Sequence, residues 1–216
     1  RNYKDYILMP DISISADGEV KSIYLFSKLP IEELNGKRIA LTNISNTSVA
    51  LLRIIMAKKY HSFPDYFTSA PELGAMLMEA DAALLIGDDA LRAKYHQNDR
   101  LYVYDLGQEW KDYCGLPMVF AVWAIRKDYA AKNLDAIKTI RDTFTDSISF
   151  SLDNIQDCSH KAAQWEDFTD DYLVDYFRSL RFDFDARKQE GLMNYYKEAQ
   201  NLGLIDEVPP LEILDI

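Results

Sequence analysis

Residues 38–60, RIALTNISNTSVALLRIIMAKKY, decide the fold. Arg38 to Thr42 form a short apolar run of the kind a strand buried on both faces presents. A polar entrance follows, in which Ser45, Asn46, Thr47 and Ser48 are all suited to cap a helix. Val49, Leu52, Ile55 and Met56 then recur at helical spacing through residue 60. The flanking sequence repeats this strand-to-helix theme. Residues 64–70 read as a short strand leading into a helix over 71–80, with Pro71 and Glu72 in its first turn. Residues 81–91 read as a buried strand ending in Gly87-Asp88-Asp89. Upstream, residues 19–28 are strand-like, and Asn35-Gly36 is a turn before the strand at 38. Residues 7–18 mix apolar residues with turn formers. Downstream, 101–107 reads as a strand, 108–117 as a helix or turn, and 118–127 as a long apolar strand. From about residue 133 the pattern is helical, over 134–151, 154–163, 170–180 and 187–202, with 182–184 extended between the last two. Strands alternating with helices predict an α/β fold: mixed, mostly parallel sheets flanked by helices, and a helical C-terminal tail.

The chain has 216 residues, enough for one large domain or two small α/β lobes. Its net charge is −11, which argues against non-specific binding to nucleic acid or to an anionic membrane, since both need a basic face. An anionic ligand stays open, because a few local donors outweigh the global field. No apolar run approaches the ~18 residues of a membrane span, and the opening residues RNYKDYILMPDIS lack the apolar length of a secretion signal. Cys114 and Cys158 form no CxxC pair and read as small buried apolar residues. His61, His96 and His160 have no metal-ligand spacing, so no metal site is expected.

Three places could carry chemistry. At residues 45–48, hydroxyl groups cluster where a helix N-terminus offers unpaired N–H groups and the positive end of its dipole; such a mouth holds a carboxylate or phosphate without a basic side chain. Plain capping would need only one of these residues. At Gly87-Asp88, the end of a buried strand lies where ligands bind in open α/β sheets. Gly87 would let a ligand approach the backbone, and Asp88 could orient a substrate hydroxyl, while a simple turn or cap accounts for the same residues. Ser22 is polar within a strand-like run, which a solvated face also explains, and no neighbouring His or Lys activates it. Trp110, Phe120 and Trp123 suit either a ring-binding wall or the core. Trp165, Phe168, Tyr172, Tyr176 and Phe177 sit at helical spacing and read as core.

Several segments together resemble the chorismate dehydratases of the futalosine route to menaquinone. They are SISADGEVKSIYLFSKLPIEELNGKRIALTNISNTSVALLRIIM, then MLMEADAALLIGDDALR, then YDLGQEWKDYCGLPMVFAVWAIRKDYA, and AAQWEDFTDDYLVDYF in the tail. The resemblance implies a type II periplasmic-binding-protein fold of two lobes, with residues 1–28 and 119–216 in lobe I and 29–118 in lobe II. It implies a hydro-lyase reaction, loss of water from chorismate to give 3-[(1-carboxyvinyl)oxy]benzoate, with no cofactor. Ser22 would be the catalytic serine of its G-x-V-x-S stretch, with Gly18 and Val20. Ser45, Asn46, Thr47, Ser48, Gly87 and Asp88 would bind the substrate. A cytoplasmic protein is expected, monomeric or weakly dimeric. The family also carries some tens of residues ahead of the point matching residue 1, including a catalytic asparagine that nothing here matches, so lobe I is expected to be incomplete. The sister dihydroxynaphthoate synthases share the fold but carry a catalytic histidine that none of the three here matches. A non-catalytic carboxylate-binding protein of the same fold is the other alternative.

Overall fold

The computed structural model describes residues 3–96 and 100–216. In chain order the elements are β1 (Tyr6–Ala16), β2 (Ile23–Ser27), β3 (Arg38–Thr42), α1 (Asn46–Lys58), β4 (Asp65–Ser69), α2 (Leu73–Glu79), β5 (Ala82–Ile86) and α3 (Gly87–Tyr95). They continue with β6 (Tyr102–Asp105), α4 (Leu106–Cys114), β7 (Met118–Arg126), α5 (Lys127–Ala130), α6 (Leu134–Asp153), α7 (Ile155–Ala163), α8 (Asp170–Ser179), β8 (Arg181–Asp183) and α9 (Ala186–Asn201).

The larger sheet has the order β4-β3-β5-β2-β6. β3 runs parallel to β4 and β5, and β2 runs antiparallel to β5 and β6. Four of the five strands therefore point one way and β2 alone is reversed. Alternation of side chains across a strand divides its residues between two cores. Ile23, Leu25, Ile39, Leu41, Ala82 and Leu84 join α1 and α4 on one face. Tyr24, Phe26, Ala40, Ala83 and Leu85 meet Met76 of α2 and Ala90 of α3 on the other. Burial on both faces is what makes these strands read as unbroken apolar runs.

The smaller sheet, β7-β1-β8, is antiparallel throughout, unlike the mostly parallel arrangement expected. Its central strand is the 11-residue β1, in a stretch where the sequence reads as apolar residues mixed with turn formers. The reason is local: the register shifts between Leu8 and Ser13, around Pro10 and Asp11, and Asp11 has φ 65°. Two further expectations change. Residues 87–95 are helix rather than the tail of a strand, and β2, within the 1–28 segment expected in lobe I, pairs in the larger sheet. Between β5 and β6, all five residues of β2 are buried.

Two passages join the sheets: residues 17–22 from β1 to β2, and residues 115–117 from α4 to β7. Each is clamped by a glycine. A Cβ on Gly107 would lie 2.5 Å from the carbonyl oxygen of Gly18, and one on Gly191 would lie 2.2 Å from that of Pro117. Trp110, fully buried, adds an Nε1–H bond to the Pro117 carbonyl at 3.3 Å. It is core rather than a ligand wall. Phe120 and Trp123 are half-buried, Phe120 against the main core and Trp123 against Phe144 of α6. In the tail, Phe168 is buried as expected, but Trp165 is 87% exposed, in the turn just past α7.

Buried phenols set an alkaline limit on this fold. Burial raises the pKa of Tyr24, Tyr60, Tyr66 and Tyr195, that of Tyr66 to about 12. The folded state keeps these protons longer than the unfolded chain does, so their contribution is fully present below the unfolded value of about 10 and is lost as pH rises above it. We expect stability to fall steeply only above about pH 10, with phenolate absorbance from these tyrosines appearing together with unfolding. Full tyrosine ionisation in a still-folded protein would contradict this.

Candidate functional site

The reversed direction of β2 decides where the site forms. Strands β3, β5 and β6 end on the same edge of the larger sheet, and β2 begins there, since Ile23 pairs with Ile86 and Tyr24 with Asp105. Residues that follow β3 and β5 and those that precede β2 are thereby brought together. All seven residues picked out in the sequence lie on this edge: Ser22 before β2, Ser45 to Ser48 after β3, Gly87 and Asp88 after β5. One strand, β5, separates β3 from β2, so the edge from Thr42 to Ser22 spans about 10 Å, two strand spacings. The smaller sheet approaches the same edge, because Ala16 at the end of β1 pairs with Met118 only six residues before Ser22.

Ser45 is the N-cap of α1. Its Oγ accepts from the Ser48 amide at 3.1 Å and donates to the Ser48 Oγ at 3.0 Å. One serine thus does the capping, and among the described residues no hydrogen-bond partner meets the Asn46 and Thr47 amides of the first turn, which no helix can satisfy internally. Asn46 is exposed, Thr47 half-buried and Ser48 buried. Tyr195 of α9 donates to the Thr47 carbonyl at 3.2 Å and fixes this end of the helix.

Ser22 sits in the bend before β2 and is buried, not on a solvated face. Its carbonyl accepts from the Gly87 amide at 2.7 Å, which ties the two segments, and its hydroxyl reaches the Val20 carbonyl at 3.4 Å. Gly87 has φ 60°, where a side chain would strain the backbone. The Ser22 hydroxyl also faces the phenol of Tyr176 on α8. Burial pushes that phenol's pKa up, Ser22 partly opposes this, and the charge of Asp88 adds to it. Tyr176 had read as core from helical spacing, and only its long-range placement reveals it as the neighbour of Ser22 and Asp88. A cavity of about 220 Å³ adjoins this cluster, lined by Lys21, Tyr24, Lys94 and Tyr176 among others. Two adjoining cavities of about 410 and 280 Å³ lie elsewhere, between α6 and β8.

A second residue to which the sequence assigns no role, although it heads the D-L-G of a segment that carries the resemblance, is Asp105, at the end of β6. Its carboxylate accepts from the amides of Val20, Lys21, Gly107 and Gln108 at 3.0, 2.7, 2.8 and 3.2 Å. Burial raises its pKa, against the pull of these four bonds.

Residues 1–201 match the family model for menaquinone biosynthesis. The chain belongs to that family. Over 136 residues it is 37% identical to the chorismate dehydratase of Thermus thermophilus, covering 56% of this chain and 48% of that relative. The chain therefore spans about half the length of that protein. Among solved structures, the periplasmic aliphatic sulphonate binding protein of Escherichia coli superposes with a TM-score of 0.67 at 15% identity, over 98% of this chain and 70% of that one. The alkanesulfonate-binding protein of Xanthomonas axonopodis pv. citri does so at 0.59 and 12%, over 97% and 72%. At such identities the likeness is one of fold. The two-sheet α/β architecture of this family member is the periplasmic-binding-protein, type II-like fold expected from its sequence. Among the described residues, no helix is long and apolar enough to cross a membrane.

Proposed function

We propose that the protein is a chorismate dehydratase, a cytoplasmic hydro-lyase that forms 3-[(1-carboxyvinyl)oxy]benzoate. The observation that carries this reading is the convergence on one sheet edge of an unspent helix mouth, Ser45 to Ser48, and a buried serine, Ser22, about 10 Å apart. That separation suits a ring bearing a carboxylate, with the acid at one end and the reacting carbons at the other. Membership of the family and the likeness to the Thermus thermophilus enzyme support the same substrate.

In the reaction, the bond between a ring carbon and its hydroxyl oxygen breaks. The neighbouring carbon, which bears the enolpyruvyl ether, gives up its proton, and that electron pair completes the aromatic ring. Hydroxyl and proton leave together as water. Aromatisation makes the product side downhill, so the protein supplies mainly orientation. The amides of Asn46 and Thr47, with the Thr47 hydroxyl, hold a substrate carboxylate. Ser22 hydrogen-bonds the departing hydroxyl, and Asp88 accepts from it while the ring is positioned. One of the substrate's own carboxylates would take the proton and pass it to the departing hydroxyl, which fits a site with no histidine among its described residues. Closure of the two sheets over the substrate would exclude water.

The test is to incubate the full-length protein with chorismate and follow its loss and the appearance of the benzoate product. Binding without turnover would favour a carboxylate-binding protein of this fold, and turnover of a cyclic futalosine derivative instead would favour the sister enzyme. Thr47→Val removes one hydroxyl from the mouth while keeping shape. We expect it to weaken chorismate binding by about tenfold, near 1.4 kcal/mol, with turnover at saturation little changed. An unaltered dissociation constant would reject the carboxylate role of the mouth.

A further inference from the structure

Asp105 does more than cap a helix. Capping α4 requires only its bonds to the Gly107 and Gln108 amides. Its other two partners, Val20 and Lys21, lie 85 and 84 residues earlier, on the passage between the two sheets. That passage needs an external anchor. Gly18 has φ 127° and Lys21 φ 59°, and a lysine in the left-handed region costs about 1 kcal/mol, so the surrounding structure must impose it. The carboxylate grips Val20 with both oxygens, at 3.0 and 3.1 Å, and Lys21 with one. The Val20 carbonyl, turned by the same peptide, is the acceptor for the Ser22 hydroxyl and, at 3.3 Å, for the Ser179 hydroxyl of α8.

We infer that Asp105 is a positioning residue for Ser22, its carboxylate locking residues 20–21 so that the serine hydroxyl stands at the reacting end of the site. This rests on the dehydratase reading above. It assigns a role in the reaction to a residue that touches no substrate and acts only through the backbone next to Ser22.

Asp105→Ser separates the two tasks, because a serine still caps α4 but cannot span to the passage. In the full-length protein we expect kcat for chorismate to fall by about 10²-fold, the effect of a small misplacement, with KM within about threefold. Introduced into a Ser22→Ala background, the same change is expected to lower the residual rate by less than about threefold, because the two positions act as one unit. An equal loss in both backgrounds, or an unchanged kcat, overturns the inference. Absence of turnover in the unsubstituted protein would instead overturn the dehydratase reading. In that event amide hydrogen exchange reads the positioning by itself: protection at Val20, Lys21 and Ser22 should drop in Asp105→Ser while α4 stays protected, and unchanged protection there overturns it.

Discussion

Ser22→Ala is expected to reduce chorismate turnover by about 10³-fold, the middle of the range for a positioned proton donor or acceptor, while the protein remains folded. The two halves of this expectation have separate grounds. Ser22 stands where the passage from the small sheet meets both Gly87 and Tyr176. Its hydroxyl has weak protein partners, the Val20 carbonyl at 3.4 Å and the facing phenol, so the fold makes little use of it. Removing it should cost no more than about 1 kcal/mol of stability. Chorismate affinity should change little, because the carboxylate mouth lies two strands away. Turnover, melting temperature and dissociation constant measured on the same preparation distinguish this from a structural role. Turnover within a few-fold of the unsubstituted protein would leave Ser22 as a packing residue and remove the reacting end of the proposed site.

Gly107→Ala is the second large effect, and it acts on stability first. The new methyl would lie 2.5 Å from the Gly18 carbonyl oxygen and 3.0 Å from the Val20 nitrogen, both main-chain atoms. No side chain can rotate away to relieve this, so the passage itself must shift. Overpacking of this kind costs about 1–3 kcal/mol, and the upper end is expected here because the displaced segment also carries the Asp105 bonds. Turnover should drop as well, since moving residues 18–20 carries Ser22 with them. Gly191→Ala makes a useful comparison: its methyl would meet the Pro117 carbonyl at 2.2 Å, at the other passage. A similar loss of stability is expected there with a smaller loss of turnover in the folded fraction. Denaturant midpoints at unchanged slope give the stabilities. A Gly107→Ala protein as stable as the original would show that the passage yields freely.

How far the sequence foretells this arrangement depends on the range of the interaction. β2, β3 and β5 are legible because burial on both faces leaves nearly unbroken apolar runs, and α1 because a cap and a periodic stripe lie within a few turns of each other. β1 is obscured because Pro10 and Asp11 sit at a register shift that looks like a turn when its partner strands are out of view. The reversal of β2, and with it the grouping of Ser22 with the larger sheet, follows from pairings with β5 and β6 that no local pattern encodes. Ser45 to Ser48 were readable as a helix mouth, and Gly87-Asp88 as a strand end, from neighbours alone. Tyr176 and Asp105 were not, since each meets the site across more than 80 residues of chain.

The single reversed strand gives the larger sheet a working rim and an idle one. Every residue assigned to the site lies where β3, β5 and β6 finish, while the links entering β3 and β4 turn at the opposite rim. Lys37, exposed just before β3, is on that far side, a five-residue strand or about 17 Å from the chemistry. A fluorophore attached there through a substituted cysteine would report on the protein without entering the reaction, and inserted residues in the same turn should be tolerated where a single added residue between Gly18 and Ser22 would not.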